Sequence, residues 1–227
     1  MKKYYWFIGL SLFLMSCIAQ PQIVTKEYSY LALGDSYTIG ESVAVAQRWP
    51  MQLVAKLKNL NCTIQTPKII AKTGWRTDNL LNAIEKELSG NESYDIVSLL
   101  IGVNNQFQGK SIGVYKKELK ALLDKAKKHC NQGKKGMFVL SIPDYGATPY
   151  GESRAAEIGK AIDEWNAACE AICKDYGVPF YFITEISRKG ATEVDLVAED
   201  GLHPSGKMYG LWVDDITGRV KQLLPKN

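Results

Sequence analysis

Short apolar runs alternate with longer amphipathic ones along most of this chain. Runs dense in β-branched or other apolar residues occur at 29–33, 63–71, 95–101, 136–142 and 179–183. None shows the in–out alternation of a strand with one wet face, so they read as strands buried on both faces of a parallel sheet. Between them the apolar spacing changes to three and four. Pro50 stands at a favourable first helical position, with Leu53, Val54, Leu57 and Leu60 on one face after it. Further helical patterns cover 77–88, 112–130, 151–176 and 205–224. Such alternation predicts right-handed βαβ crossovers and a three-layer α/β/α sandwich around a mostly parallel, flavodoxin-like five-stranded sheet. Ligands of such sheets sit outside the carboxyl ends of the strands. Candidate chemistry is therefore sought there first.

The first run ends at Gly34-Asp35-Ser36-Tyr37. A serine at a strand end is ordinary unless something can take its proton, and a histidine is the usual base. Ser36 is not set in the Gly-x-Ser-x-Gly elbow of many serine hydrolases, since Thr38 stands where its second Gly would be. Only two histidines are available. His129, in Lys-Ala-Lys-Lys-His-Cys, reads as an exposed residue or one in the last turn of a lysine-rich helix. His203 follows Asp200-Gly201-Leu202 just before the last helix. A carboxylate three residues earlier in a turn can accept the Nδ1 proton, fix the tautomer and leave Nε2 facing Ser36. The rival reading is a capping loop with an incidental histidine. An acyl-transfer site also needs donors aimed at the developing oxyanion. Lys72-Thr73-Gly74-Trp75 and Gly102-Val103-Asn104-Asn105 follow the second and third runs and offer a glycine and an amide. Alone, each is an ordinary turn.

Together, Ser, Gly, Asn and His occur in that order, the first three at strand ends and the last before the final helix. This arrangement resembles the SGNH hydrolases, also called the GDSL esterase and lipase family, over roughly residues 28–224. The resemblance implies that Ser36 is the nucleophile, His203 the base and Asp200 its orienting partner. It implies an oxyanion hole made by Ser36 N–H, Gly74 N–H and Asn104 Nδ2, with no metal or organic cofactor. The activity implied is hydrolysis of carboxylic esters through an acyl-enzyme, on lysophospholipids or small acyl esters, with carbohydrate O-acetyl esters as the alternative. Tyr37 replaces the Leu that gives GDSL its name, and Asn105 replaces the usual Asp of the third block. Neither is a catalytic position, so both bear on substrate preference. A reading from another class is a non-enzymatic, flavodoxin-like phosphate- or nucleotide-binding module, with Ser36, Tyr37, Thr38 and Ser42 as the cradle. It leaves Asn104 and the Asp200–His203 pair unexplained.

Composition narrows the partners. Apolar residues make up 46% and charged residues 23% of the 227, a globular balance for one domain. Setting Lys2 and Lys3 aside leaves 26 basic against 24 acidic residues, too small a surplus for nucleic acid as the main partner. The lysine pairs at 116–117, 127–128 and 134–135 read as solvated faces. Lys2 and Lys3 precede an apolar run from Tyr4 to Met15, too short to span a bilayer. It ends in Leu14-Met15-Ser16-Cys17, which is similar to the lipobox of bacterial lipoproteins. Residues 1–16 are thus expected to be a signal peptide, 17–27 a lipidated Cys17 and tether, and 28–227 the hydrolase domain. The protein would be exported to the bacterial cell envelope and held to a membrane by its lipid. Ordinary cleavage after Ala19 is the alternative.

Export permits disulfides. Cys62, Cys130, Cys169 and Cys173 remain, and Cys169 and Cys173, one helical turn apart, bridge poorly within a regular helix. Unpaired, buried thiols are the expectation. No Cys/His spacing suggests zinc. Segments 39–49 and 143–150 follow strand ends and are expected to wall the pocket. Trp49, Trp75, Phe107, Tyr145 and Tyr150 can line an acyl slot, stack on a sugar or fill the core.

Overall fold

Leu31, Ala32 and Leu33 have no exposed surface, and Ile96, Val97, Leu99 and Leu100 almost none. Runs covered on both faces need no alternation, which is why the sequence shows none. The computed structural model describes residues 1–3 and 26–225, so Cys17 and the apolar run before it lie outside the described residues. Apart from short 3-10 turns, the chain forms β1 (Glu27–Tyr28), β2 (Tyr30–Asp35), α1 (Ser36–Ile39), α2 (Trp49–Asn59), β3 (Thr63–Ile64) and β4 (Lys68–Lys72). It continues through α3 (Thr77–Glu87), β5 (Ile96–Leu100), α4 (Val103–Phe107), α5 (Ile112–Lys128) and β6 (Met137–Leu140). It ends with α6 (Ala155–Tyr176), β7 (Phe180–Tyr181), α7 (Thr184–Ser187) and α8 (Gly206–Lys221).

The main sheet has five parallel strands in the order β4-β2-β5-β6-β7. Helices α2 and α8 pack together on one face, and α3, α5 and α6 form a contiguous layer on the other. Trp49, Trp212, Tyr30, Tyr115, Tyr209 and Phe138 are the largest fully buried side chains of the core between these layers. Strand order reverses at β2, whose neighbours are β4 and β5. That makes the carboxyl end of β2 a topological switch point, where the helices diverge and a crevice opens.

Three sequence expectations change. The run 63–71, read as one strand, is divided by Pro67, which has no N–H to give to a ladder. Its first part, β3, leaves the sheet and pairs in parallel with β1. Glu27, expected in the tether, is therefore a strand residue opposite Thr63. His129 does cap the end of α5, but it is buried, with Nδ1 2.7 Å from Glu92 O. Its ring bridges the helix end to the segment entering β5, a structural tie far from the switch point. Cys130, Cys169 and Cys173 are buried and Cys62 is partly buried, and all four are free thiols.

Candidate active site

β2 must hand over to a helix at once for its last residues to reach the crevice. Gly34 allows this, because a Cβ there would lie 2.6 Å from Leu100 O and would also strike Thr38 Oγ1. Asp35 closes the turn by accepting Tyr37 N–H at 3.0 Å, and Ser36 becomes the first residue of the single-turn helix α1. Ser36 is 3% exposed. Asp35 is wholly buried, and its Oδ2 has no hydrogen-bond partner. Burial pushes its carboxyl up to about 7, opposed by the Tyr37 N–H and the facing Asn104 amide.

The second component is the loop before α8. Asp200 Oδ2 lies 2.7 Å from His203 Nδ1, while Asp200 Oδ1 accepts the N–H groups of Leu202 and His203, each at 2.9 Å. These bonds wrap the loop around the carboxylate and fix the imidazole. Ser42 Oγ–H also donates to Asp200 Oδ2, at 2.6 Å. Burial works against the charge of Asp200, but the Ser42 hydroxyl, the His203 N–H and ring and the Leu202 N–H together hold its carboxyl well below the ordinary range. On its other side the imidazole meets Tyr37, with ring centroids 5.2 Å apart. The residue that departs from the GDSL spelling is thus a packing partner of His203.

The third component follows β4 and β5. Gly74 has φ +78°, with no atom within 4 Å of where a Cβ would stand, so conformation rather than crowding calls for glycine. Its carbonyl accepts Gln108 Nε2 at 3.1 Å. Asn104 Nδ2 donates to Trp75 O at 3.1 Å, which orients the amide beside the Gly74 turn. Asn105 does different work. It is 1% exposed, its Oδ1 accepts Thr77 N–H at 3.0 Å and its Nδ2 donates to Thr77 Oγ1 at 2.6 Å. It therefore binds the start of α3 to α4, and its amide suits a site that needs both an acceptor and a donor.

Ser36, Gly74, Asn104 and His203 all line one cleft of about 130 Å3. Among the described residues no hydrogen bond joins Ser36 to His203; in ligand-free sites such bonds often tighten only when substrate arrives. A family model described as GDSL-like Lipase/Acylhydrolase family matches residues 32–211. The chain belongs to that family.

Family membership makes this GDSL protein an ester hydrolase. Its fold recurs in solved structures of low sequence identity. One is a member of the lipolytic protein G-D-S-L family from Veillonella parvula, 15% identical, with a TM-score of 0.68 over 85% of this chain and 97% of that one. The psychrotrophic esterase EstA from Pseudoalteromonas sp. is 19% identical, with a TM-score of 0.65 over 86% and 97% of the two chains. The acetylxylan esterase Axe2 from Geobacillus stearothermophilus is 16% identical, with a TM-score of 0.66 over 85% and 94%. Among proteins with curated descriptions, none matches this chain.

Other expectations for the GDSL site divide. Segment 143–150 contributes Tyr145 to the cleft as expected, and Phe107, left open between slot and core, lines it too. Segment 39–49 does not line it; through Ser42 it braces Asp200 from behind. Trp49, the first residue of α2, is fully buried with its indole edge-on to Phe138. Trp75 packs on the core. The phosphate cradle fails as a group, since Tyr37 and Thr38 are buried and Ser42 is committed to Asp200. Gln108 is a supporting residue that nothing in the sequence singled out, and Ser42, expected only in the phosphate cradle, supports Asp200 instead. Ser42 adopts φ +62°, and nothing in the sequence marks that backbone.

Proposed function

We propose that this enzyme hydrolyses short-chain carboxylic esters through an acyl-enzyme on Ser36. The observation that carries the reading is the 2.7 Å contact of Asp200 Oδ2 with His203 Nδ1 on a cleft that His203 shares with Ser36, Gly74 and Asn104. Ser36 Oγ attacks the carbonyl carbon as His203 Nε2 takes its proton, and ionised Asp200 stabilises the resulting imidazolium. Negative charge on the carbonyl oxygen is met by Ser36 N–H, Gly74 N–H and Asn104 Nδ2. Trp75 O accepts from the Asn104 amide and holds Nδ2 at the rim of the cleft that Ser36 lines. The imidazolium then protonates the leaving alcohol. Water activated by the same histidine releases the acid. No step in this cycle calls for a metal or organic cofactor. A cleft of about 130 Å3 suits a few carbons of acyl chain better than a long one.

We also propose that the enzyme works at a bacterial cell envelope, held to a membrane by lipid on Cys17. The sequence around Cys17 supports this, and Cys17→Ala should then leave the membrane fraction. For the chemistry the test is Ser36→Ala, expected to lower kcat on p-nitrophenyl acetate by about 10⁵–10⁶ while folding is retained. Near-normal turnover by that variant would end the nucleophile assignment.

A further inference from the structure

A second depression opens beside the cleft, and Phe107 and Tyr145 line both. Its volume is about 460 Å3, within the range of small-molecule sites. Phe107 and Tyr150, 52% and 56% exposed, stand together at its mouth with ring centroids 6.2 Å apart and planes 51° apart, so they form a corner. Large apolar side chains kept in water next to a catalytic cleft call for an explanation. Both rings are held in place from the site itself. Phe107 is carried by α4, the helix that bears Asn104, and Tyr150 N–H donates to Gly201 O, inside the Asp200–His203 loop, at 3.0 Å.

We propose that this groove, built on the esterase reading above, binds a sugar ring of the leaving alcohol, so that the substrate is an acylated glycan. The location follows from the chemistry. His203 must reach the leaving oxygen, and Tyr150 sits against the His203 loop, so the alcohol runs toward Tyr150 while the acyl group stays in the small cleft.

The lining selects among alcohols. A fatty or alkyl alcohol would want apolar walls, but Gln106, Ser153, Arg154 and Glu157 all face this groove. Gln106 Oε1 accepts the Tyr145 hydroxyl at 2.9 Å, which leaves its Nε2 to donate. A phosphorylated headgroup would want surplus positive charge, whereas Arg154 is paired with Glu157 at 2.6 Å. What remains is a neutral wall of donors and acceptors facing two aromatic rings. That combination matches a pyranose, which turns hydroxyls to one side and C–H groups to the other.

The test compares kcat/KM on p-nitrophenyl acetate, acetylated xylo-oligosaccharides and lysophosphatidylcholine for the wild type, Tyr150→Ala, Tyr150→Phe and Arg154→Ala. Tyr150→Ala should lose at least about tenfold on the acetylated oligosaccharide beyond any loss on p-nitrophenyl acetate, through KM. Tyr150→Phe should recover most of it, because the ring and not the hydroxyl does the stacking. Arg154→Ala should show a smaller loss of the same kind. Equal losses on the glycan and the aryl ester, or a selective loss on lysophosphatidylcholine, would overturn the proposal. Ser36→Ala keeps this inference separate from the one it rests on. It should still bind unacetylated xylo-oligosaccharide by calorimetry, and Tyr150→Ala should not. Turnover surviving in Ser36→Ala would sink the nucleophile alone, whereas loss of glycan binding in that variant would sink the groove.

Discussion

Asp35 and Asp200 are two carboxylates at one site with opposite surroundings. Asp35 adjoins Ser36 in the chain, is wholly buried and accepts one hydrogen bond from Tyr37 N–H, and its second oxygen has no partner. Burial dominates there, and the carboxyl rises to about 7. Asp200 lies 164 positions after Ser36 but accepts from the Ser42 hydroxyl, two N–H groups and His203 Nδ1. Its side chain is 30% exposed, and it stays ionised far into acid. Proximity in sequence would nominate Asp35 as the triad acid; donor count nominates Asp200. Only a carboxylate already charged at neutral pH can stabilise an imidazolium without first losing a proton.

Exchanging each acid for its amide gives the largest contrast. Asp200→Asn should lower kcat by about 10³–10⁴, because the imidazole loses the acceptor that fixes its tautomer. Asp35→Asn should cost less than about tenfold, since asparagine caps α1 as well as aspartate does. Reversed costs, measured on one ester under one condition, would break the comparison. Ser42→Ala sharpens it. Asp200 has a depressed carboxyl pKa, so its charge is present above that value and lost as pH falls through it. Removing the Ser42 hydroxyl raises that value but takes away only one of several donors, so Ser42→Ala should cost far less kcat at neutral pH than Asp200→Asn.

The two asparagines after β5 extend the test. Asn104→Ala should cost about 10²–10³ in kcat with little change in KM, because its donor meets charge present mainly in the transition state. Asn105→Ala should lower stability instead, by about 1–3 kcal/mol in denaturant unfolding, because Thr77 N–H and Oγ1 lose a buried partner. If Asn105→Ala proved the catalytic loss, the two roles would have to be exchanged.

A further effect concerns stability and pH. The Asp35 carboxyl is raised from 3.8 to about 7, so within that window the folded state binds more protons than the unfolded state. Wild-type stability should therefore decline as pH rises across the window, from this group alone. Asp35→Asn should flatten that part of the profile of denaturation midpoint against pH, and an unchanged slope would refute the assignment.

Much of this was legible because the signals are local. Apolar runs mark strands, and Gly34-Asp35-Ser36, Gly74, Asn104 and the Asp200–His203 spacing each fall at a strand end or a helix start. What was not legible depends on contacts between distant segments. Ser42 meets Asp200 only because the turn after α1 reaches across the site with φ +62°. His129 is buried by Glu92 O rather than by its own helix. Trp49 and Phe107 are both aromatic residues near the strand-end rim, yet one fills the core and the other stands in water. Helix orientation separates them, and composition does not. Pro67 was visible as a strand breaker, but the apolar residues on either side of it masked the break.

The central claim is that Ser36 is the nucleophile activated by His203. Its most direct test is covalent labelling with a fluorophosphonate followed by peptide mass mapping. The adduct should fall on Ser36 in the wild type, be absent from Ser36→Ala and form far more slowly in His203→Ala. An adduct on another serine, or a Ser36→Ala protein that labels as fast as the wild type, would contradict it.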